Sequence, residues 1–199
     1  MNDSPGRSAS LVLASTSRYR AELLRRLGLP FTQRAPGTDE SPRTGEAPAE
    51  RALRLAIAKA EAAAHDLNGA LVIGSDQVAE LDGLVLDKPG TAERACAQLA
   101  ASSGRTVHFH TAVCLRDTRH GINHVHVDDT RVVFRSLEPE EIERYVEGEQ
   151  PLDCAGSFKC EGLGISLFDR IDSQDPTALI GLPLIAVARL LRQCAVALP

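Results

Sequence analysis

The chain has 199 residues, 43% of them hydrophobic and 25% charged, a composition of folded globular domains and not of disordered or collagen-like chains. Its 22 basic and 27 acidic residues leave a formal charge of −5 with no basic tract, which argues against duplex nucleic acid as a partner. No apolar run reaches the ~18 residues of a membrane span, and the opening MNDSPGRSAS lacks a secretory apolar segment, so no membrane contact and a cytoplasmic location are expected.

In chain order, residues 1–10 read as a flexible N-terminus and 11–199 as a single domain. Leu11 to Ala14 is a short apolar run suited to a buried strand, and the polar Ser15-Thr16-Ser17 leads into a helical pattern ending before Gly28 and Pro30. Residues 36–47 form a loop, and Pro48 opens a long Ala-rich helix running to about Leu67. Leu71 to Gly74 reads as a second buried strand ending in Ser75-Asp76-Gln77. Asp82-Gly83 then turns a hairpin between Val78 to Leu81 and Leu84 to Leu86. Thr91 caps a helix reaching about Ala101, the alternation at Val107, Phe109, Thr111, Val113 and Leu115 predicts a half-buried strand, and another strand spans Val125 to Arg135. A short acidic helix covers 138–147, Ala155 to Phe168 mixes glycines with strand-forming residues, and a last helix runs from Pro183 to about Gln193. The expected class is α/β, a two-lobed mixed sheet flanked by helices with a central cleft.

Five cysteines in odd number and without C-x-x-C spacing read as reduced core thiols. Of the 22 basic residues 19 are Arg, so general surface charge is written as Arg and the three lysines invite inspection. Lys59 falls in an apolar helical stripe with Ala52, Leu55, Ala56 and Ala63; Lys88 follows the hairpin and precedes a proline; Lys159 lies in a glycine-containing segment. Ser15, Ser17 and Arg20 stand where a strand meets a helix N-terminus, which serves either as a phosphate cradle or as a simple cap. Asp76, at the end of a strand, could bind a divalent cation or take a proton from water, or close a turn on its own backbone. P-loop, dinucleotide-fold and zincin signatures are missing. The pairs His108/His110 and His124/His126 could chelate a metal, but the hairpin register does not set them opposite each other and solvent-facing strand positions explain them.

Leu-Ala-Ser-Thr-Ser-Arg-Tyr-Arg at 13–20, Thr-Asp-Glu at 38–40, Ala-x-x-Lys-Ala at 56–60, Ser-Asp-Gln-Val at 75–78, Lys88-Pro89, Gly156-Ser157-Phe158 and Gly181-Leu182-Pro183 together resemble the Maf family of nucleoside triphosphate pyrophosphatases. The likeness extends from Leu11 to about Arg192. It implies a fold related to the inosine triphosphate pyrophosphatases, a divalent metal (Mg²⁺ or Mn²⁺) on Glu40 and Asp76, a nucleotide substrate and, often in the family, a homodimer. By the same resemblance Asp76 is the proton acceptor, Ser15, Ser17, Arg20, Lys59, Lys88 and Lys159 bind phosphates, and Tyr19, Gln77 and Glu161 select the base. The branch similar to this chain acts on 7-methyl-GTP; the chain has Tyr19 where Trp was expected and Ala21 where a further arginine can occur. A cationic 7-methylguanine suits an aromatic face and a carboxylate. The alternatives are a Maf-type enzyme for dTTP, UTP or modified nucleotides, and a nucleotide-sensing septum-formation regulator without significant catalysis.

Overall fold

The computed structural model describes residues 10–199. The chain folds as β1 (Ser10–Leu13), α1 (Arg18–Arg25), β2 (Thr32–Gln33), α2 (Pro48–Ala64), β3 (Ala70–Leu81), β4 (Leu84–Leu86), α3 (Ala92–Ser102), β5 (Thr106–Asp117), β6 (Ile122–Phe134), α4 (Pro139–Glu149), β7 (Phe168–Asp172) and α5 (Leu184–Gln193). One mixed sheet runs in the order β2-β1-β3-β5-β6-β7, with β4 also paired to β3. The expected α/β class with a mixed sheet and flanking helices is therefore present. Residues 1–9 of the expected N-terminal segment lie outside the described residues, and Ser10 already begins β1.

Local chemistry starts α1, α2 and α3. Ser17 accepts the Arg20 N–H at α1, Pro48 opens α2 while Glu50 reaches back to the Ala47 N–H, and Thr91 accepts the Arg94 N–H at α3. At α5 the caps come from a distance, because Thr177 Oγ1 and Asp175 Oδ2 accept the N–H groups of Leu184 and Ile185.

Side-chain alternation along β3 separates the two faces of the sheet. Val72 and Val78 face α2, in clusters with Val12 and Ala63 and with Ala52, Ala56 and Ala60. Leu71 and Ile73 face α1 and α5, whereas Ala79 and Leu81 join the phenylalanine-rich cluster under α3 and α4. Two apolar clusters thus share one face of a continuous sheet, and these are the two lobes.

The structure departs from the sequence reading at several points. The second strand does not end at Gly74: β3 continues through Ser75, Asp76 and Gln77 to Leu81, paired to β5 from Leu71 to Glu80. Strand structure after Ala155 is confined to β7, because 155–157 and 163–167 coil into 3₁₀ turns; Gly164 lies so close to the Lys159 carbonyl that a Cβ would come within 2.4 Å of it. The two-residue β2 carries too short a pattern to be seen in the sequence. The histidines are not opposed across the hairpin, since His108 and His110 pair with Arg131 and Asp129, and His124 and His126 with Leu115 and Val113. All five cysteines are free, but only Cys114 is fully buried.

The β5–β6 turn supplies a stability prediction. Burial pushes the Asp117 carboxyl up, but His120 Nδ1 at 2.8 Å from Oδ2 and the Arg119 backbone and side-chain N–H groups on Oδ1 outweigh it and hold it down to about 2. A depressed carboxyl contributes stability above its unfolded value and loses it as the pH falls through the folded value. Asp117→Asn is expected to cost about 1–2 kcal/mol at pH 6, and urea unfolding of the two proteins should converge between pH 4 and pH 2.

Candidate active site

The cleft forms where β3 lacks a neighbour. Leu13 to Ile73 is the last β1–β3 pair and Ala79 to Leu86 the first β3–β4 pair, so residues 74–78 have β5 on one side and no strand on the other among the described residues. Around this open stretch lies a cleft of about 850 Å³. Alternation sends Asp76 to the α2 face and Ser75 and Gln77 to the opposite face, so the cleft is lined from both sides of the sheet.

Three charged groups converge on the α2 side. Lys59 Nζ lies 2.6 Å from Asp76 Oδ1 and 2.8 Å from Glu40 Oε1. Lys59 and Asp76 are both buried, at 6% and 7% exposure, so each charge offsets much of the cost of burying the other, and Glu40 gives Lys59 a second partner. Burial pushes the Glu40 carboxyl up, but the Lys59 hydrogen bond and the charges of Lys59, Lys88 and Arg20 hold it below its ordinary value. The helix reaches this position because Gly74 lets it approach: a Cβ there would come within 2.2 Å of the Ala56 carbonyl oxygen and 2.6 Å of the Ala60 nitrogen.

Opposite these groups, Ser17 N donates to Ser15 Oγ and Arg20 Nε donates to Gly181 O at 2.9 Å. Burial pulls the Arg20 guanidinium below its ordinary range, and the Asp76 and Glu40 carboxylates oppose that shift. Gly181 takes φ +120°, a left-handed value that suits glycine. Ser75 Oγ lies within hydrogen-bond distance of the carbonyl oxygens of Ala112 and Gly181, at 2.8 and 3.0 Å. Gln77 Nε2 is within 3.0 Å of Thr111 Oγ1 and the Ala178 and Leu179 carbonyl oxygens, so its amide N–H groups anchor the 178–180 turn.

The remaining expected site residues also line the cleft, with distinct partners. Lys88 is exposed at its rim. Tyr19 accepts a hydrogen bond from Arg18, whose guanidinium carbon stands 4.8 Å from the ring centroid. Lys159 differs from the other cations: its ammonium donates to Glu149 O at 2.7 Å, at the C-terminal end of α4, and sits 3.6 Å from Glu149 Oε1. Glu161 Oε2 lies 3.5 Å from Cys160 Sγ. Burial, reinforced by Asp153 and Glu161 respectively, pushes the Cys154 and Cys160 thiols up to about 12, which removes them as nucleophiles at neutral pH.

Among the lining residues that were not site candidates in the sequence, two stand out. Arg51 and Thr38 reach the cleft from α2 and from the preceding loop. Arg51 could have been found as the residue four before Leu55 and eight before Lys59, on the same side of the helix.

The family model described as Maf-like protein matches residues 10–194. The chain belongs to the Maf family. This Maf chain is 61% identical over 189 residues to the "7-methyl-GTP pyrophosphatase" of Xanthomonas oryzae pv. oryzae (strain MAFF 311018), covering 95% of the chain and 98% of that relative. It is 58% identical to the protein of the same name from Xanthomonas axonopodis pv. citri (strain 306), over 95% and 98% of the two chains. The corresponding protein of Burkholderia lata is 56% identical, over 96% and 93%. The Maf motifs noted in the sequence converge on this one cleft.

Proposed function

We propose that the chain hydrolyses the α–β anhydride of 7-methyl-GTP, giving 7-methyl-GMP and pyrophosphate. The observation that carries the reading is the convergence of Lys59, Asp76 and Glu40 at the unpaired stretch of β3, in a Maf chain more than half identical to relatives named for that activity. Water is the nucleophile. Asp76 accepts its proton, while Lys59 fixes the carboxylate through Oδ1. As the anhydride P–O bond breaks, its electron pair leaves with pyrophosphate, and Arg20, Lys59 and Lys88 offset the growing negative charge. Ser15 and Ser17 orient the phosphates at the start of α1. Lys159 joins this set when its ammonium leaves the end of α4.

The donor set suits Mg²⁺ or Mn²⁺. Two carboxylates, of Glu40 and Asp76, already converge on one cationic group in the cleft. That matches an ion held by one or two carboxylates together with substrate phosphates. Glu40 and Asp76 would hold it, and it would supply positive charge to the phosphoryl oxygens. Among the described residues no helix is long and apolar enough to cross a membrane, and the free cysteines accord with a cytoplasmic enzyme.

The base is chosen by Tyr19, Gln77 and Glu161. Tyr19 and Glu161 both line the cleft, where the Tyr19 ring stacks on the cationic base and Glu161 accepts its N–H groups. Gln77 acts through the turn it anchors. The reading is tested by pyrophosphate release from GTP, 7-methyl-GTP, dTTP, UTP and ITP with Mg²⁺ or Mn²⁺. Preference for 7-methyl-GTP is expected, and Tyr19→Ala or Glu161→Gln should each reduce that preference over GTP about 10-fold. Preference for a pyrimidine nucleotide would discard the base assignment, and absence of release from any nucleotide would discard the enzyme.

A further inference from the structure

We infer that Arg51 and Thr38 form a subsite for the departing pyrophosphate, an inference that rests on the hydrolytic reading above. Among the described residues, only two buried side-chain polar atoms lack a hydrogen-bond partner, Arg51 Nε and Thr38 Oγ1. Both belong to residues that line the same cleft. An unpaired buried polar group is unfavourable, so two in one cavity mark a place shaped for a ligand. A guanidinium nitrogen can only donate and a threonine hydroxyl can donate, so the missing ligand is rich in acceptors.

Position defines which part of the substrate that is. Arg51 lies eight residues, roughly 12 Å of helix, before Lys59, and Thr38 two residues before Glu40. Arg51 is on α2, and the segment that carries Thr38 is tied to α2 by the Glu40–Lys59 contact, so both stand across β3 from the Gln77 amide and the turn that it anchors. With the base assigned to Tyr19, Gln77 and Glu161 and the reacting anhydride at Asp76, between Lys59 and the α1 donors Ser15, Ser17 and Arg20, the acceptor-rich group that extends along α2 toward Arg51 is the β,γ-diphosphate. Arginine suits it through paired N–H donors. The Arg51 guanidinium is only loosely engaged now, with Nη2 3.5 Å from Oδ1 of Asp87, the neighbour of Lys88.

Calorimetric titration with inorganic pyrophosphate and Mg²⁺ tests the subsite, with 7-methyl-GMP as the comparison ligand. Arg51→Gln is expected to weaken pyrophosphate binding about 10-fold or more, to change 7-methyl-GMP binding less than about twofold, and to be partly rescued by Arg51→Lys. The near-isosteric Thr38→Val should show the same selective loss at smaller size, which keeps the test open if Arg51→Gln fails to fold. Unchanged pyrophosphate binding in both variants, or equal losses for both ligands, would overturn the subsite and leave Arg51 as a tether to Asp87. Pyrophosphate binding is read without turnover, so failure of the hydrolytic reading is seen separately, as absence of release by the unaltered protein.

Discussion

Asp76→Asn is expected to reduce pyrophosphate release at least about 100-fold while leaving the fold in place. The amide is nearly isosteric, and its carbonyl oxygen can still accept the Lys59 hydrogen bond now made at 2.6 Å to Oδ1. What it cannot do is take a proton from water. Its lower charge also leaves the buried Lys59 ammonium facing only Glu40, so a modest loss of stability accompanies the loss of rate. Single-turnover assays beside thermal melts separate the two effects. Near-normal turnover by a folded variant would remove Asp76 from the role of proton acceptor.

Gly74→Ala is expected to give the largest loss of stability, about 3 kcal/mol or more, or roughly 10 °C in melting temperature. The backbone at this position is ordinary; the obstacle is α2. An added Cβ would lie 2.2 Å from Ala56 O and 2.6 Å from Ala60 N, and both are main-chain atoms of a helix that cannot yield by rotating a side chain. Relief requires moving the helix, and Lys59 moves with it. Activity should therefore fall further than the population of folded protein explains. A melting temperature within about 2 °C of the original would show that α2 yields more readily than its packing on β3 implies.

The sequence made the α2 stripe legible because alanine at 52, 56, 60 and 63 leaves one large exception, Lys59, on an otherwise apolar face. Asp76 was legible as a site candidate but not as a residue within a strand. Ser75, Asp76 and Gln77 read as polar punctuation, yet their needs are met by Ala112 O and Gly181 O, by Lys59, and by the 178–180 turn, all remote in sequence. The same remoteness hid the use of Lys159 at the end of α4. Arg51 was concealed for another reason: in a chain where 19 of 22 cations are arginine, one more arginine looks like surface charge. Only its place in the cleft wall and its unpartnered Nε separate it from the rest. The 155–168 segment mixes glycines with strand-forming residues, and the close backbone contacts of those glycines belong to turns.

The unbroken course of β3 and β5 bears on how the enzyme could close around a nucleotide. Ten consecutive residue pairs join these strands beneath both lobes, from Leu71 to Glu80 on β3. A molecule divided by a flexible linker can fold its halves together like a book; here the spine is itself a sheet, and bending it would strain the ladder along its length. The segment between β2 and α2, which carries Thr38 and Glu40, bears no such ladder. It is held to α2 by side-chain contacts instead, from Arg54 to Glu46 and the Ser41 carbonyl and from Lys59 to Glu40, so the two walls of the cleft are fixed by different kinds of bonding.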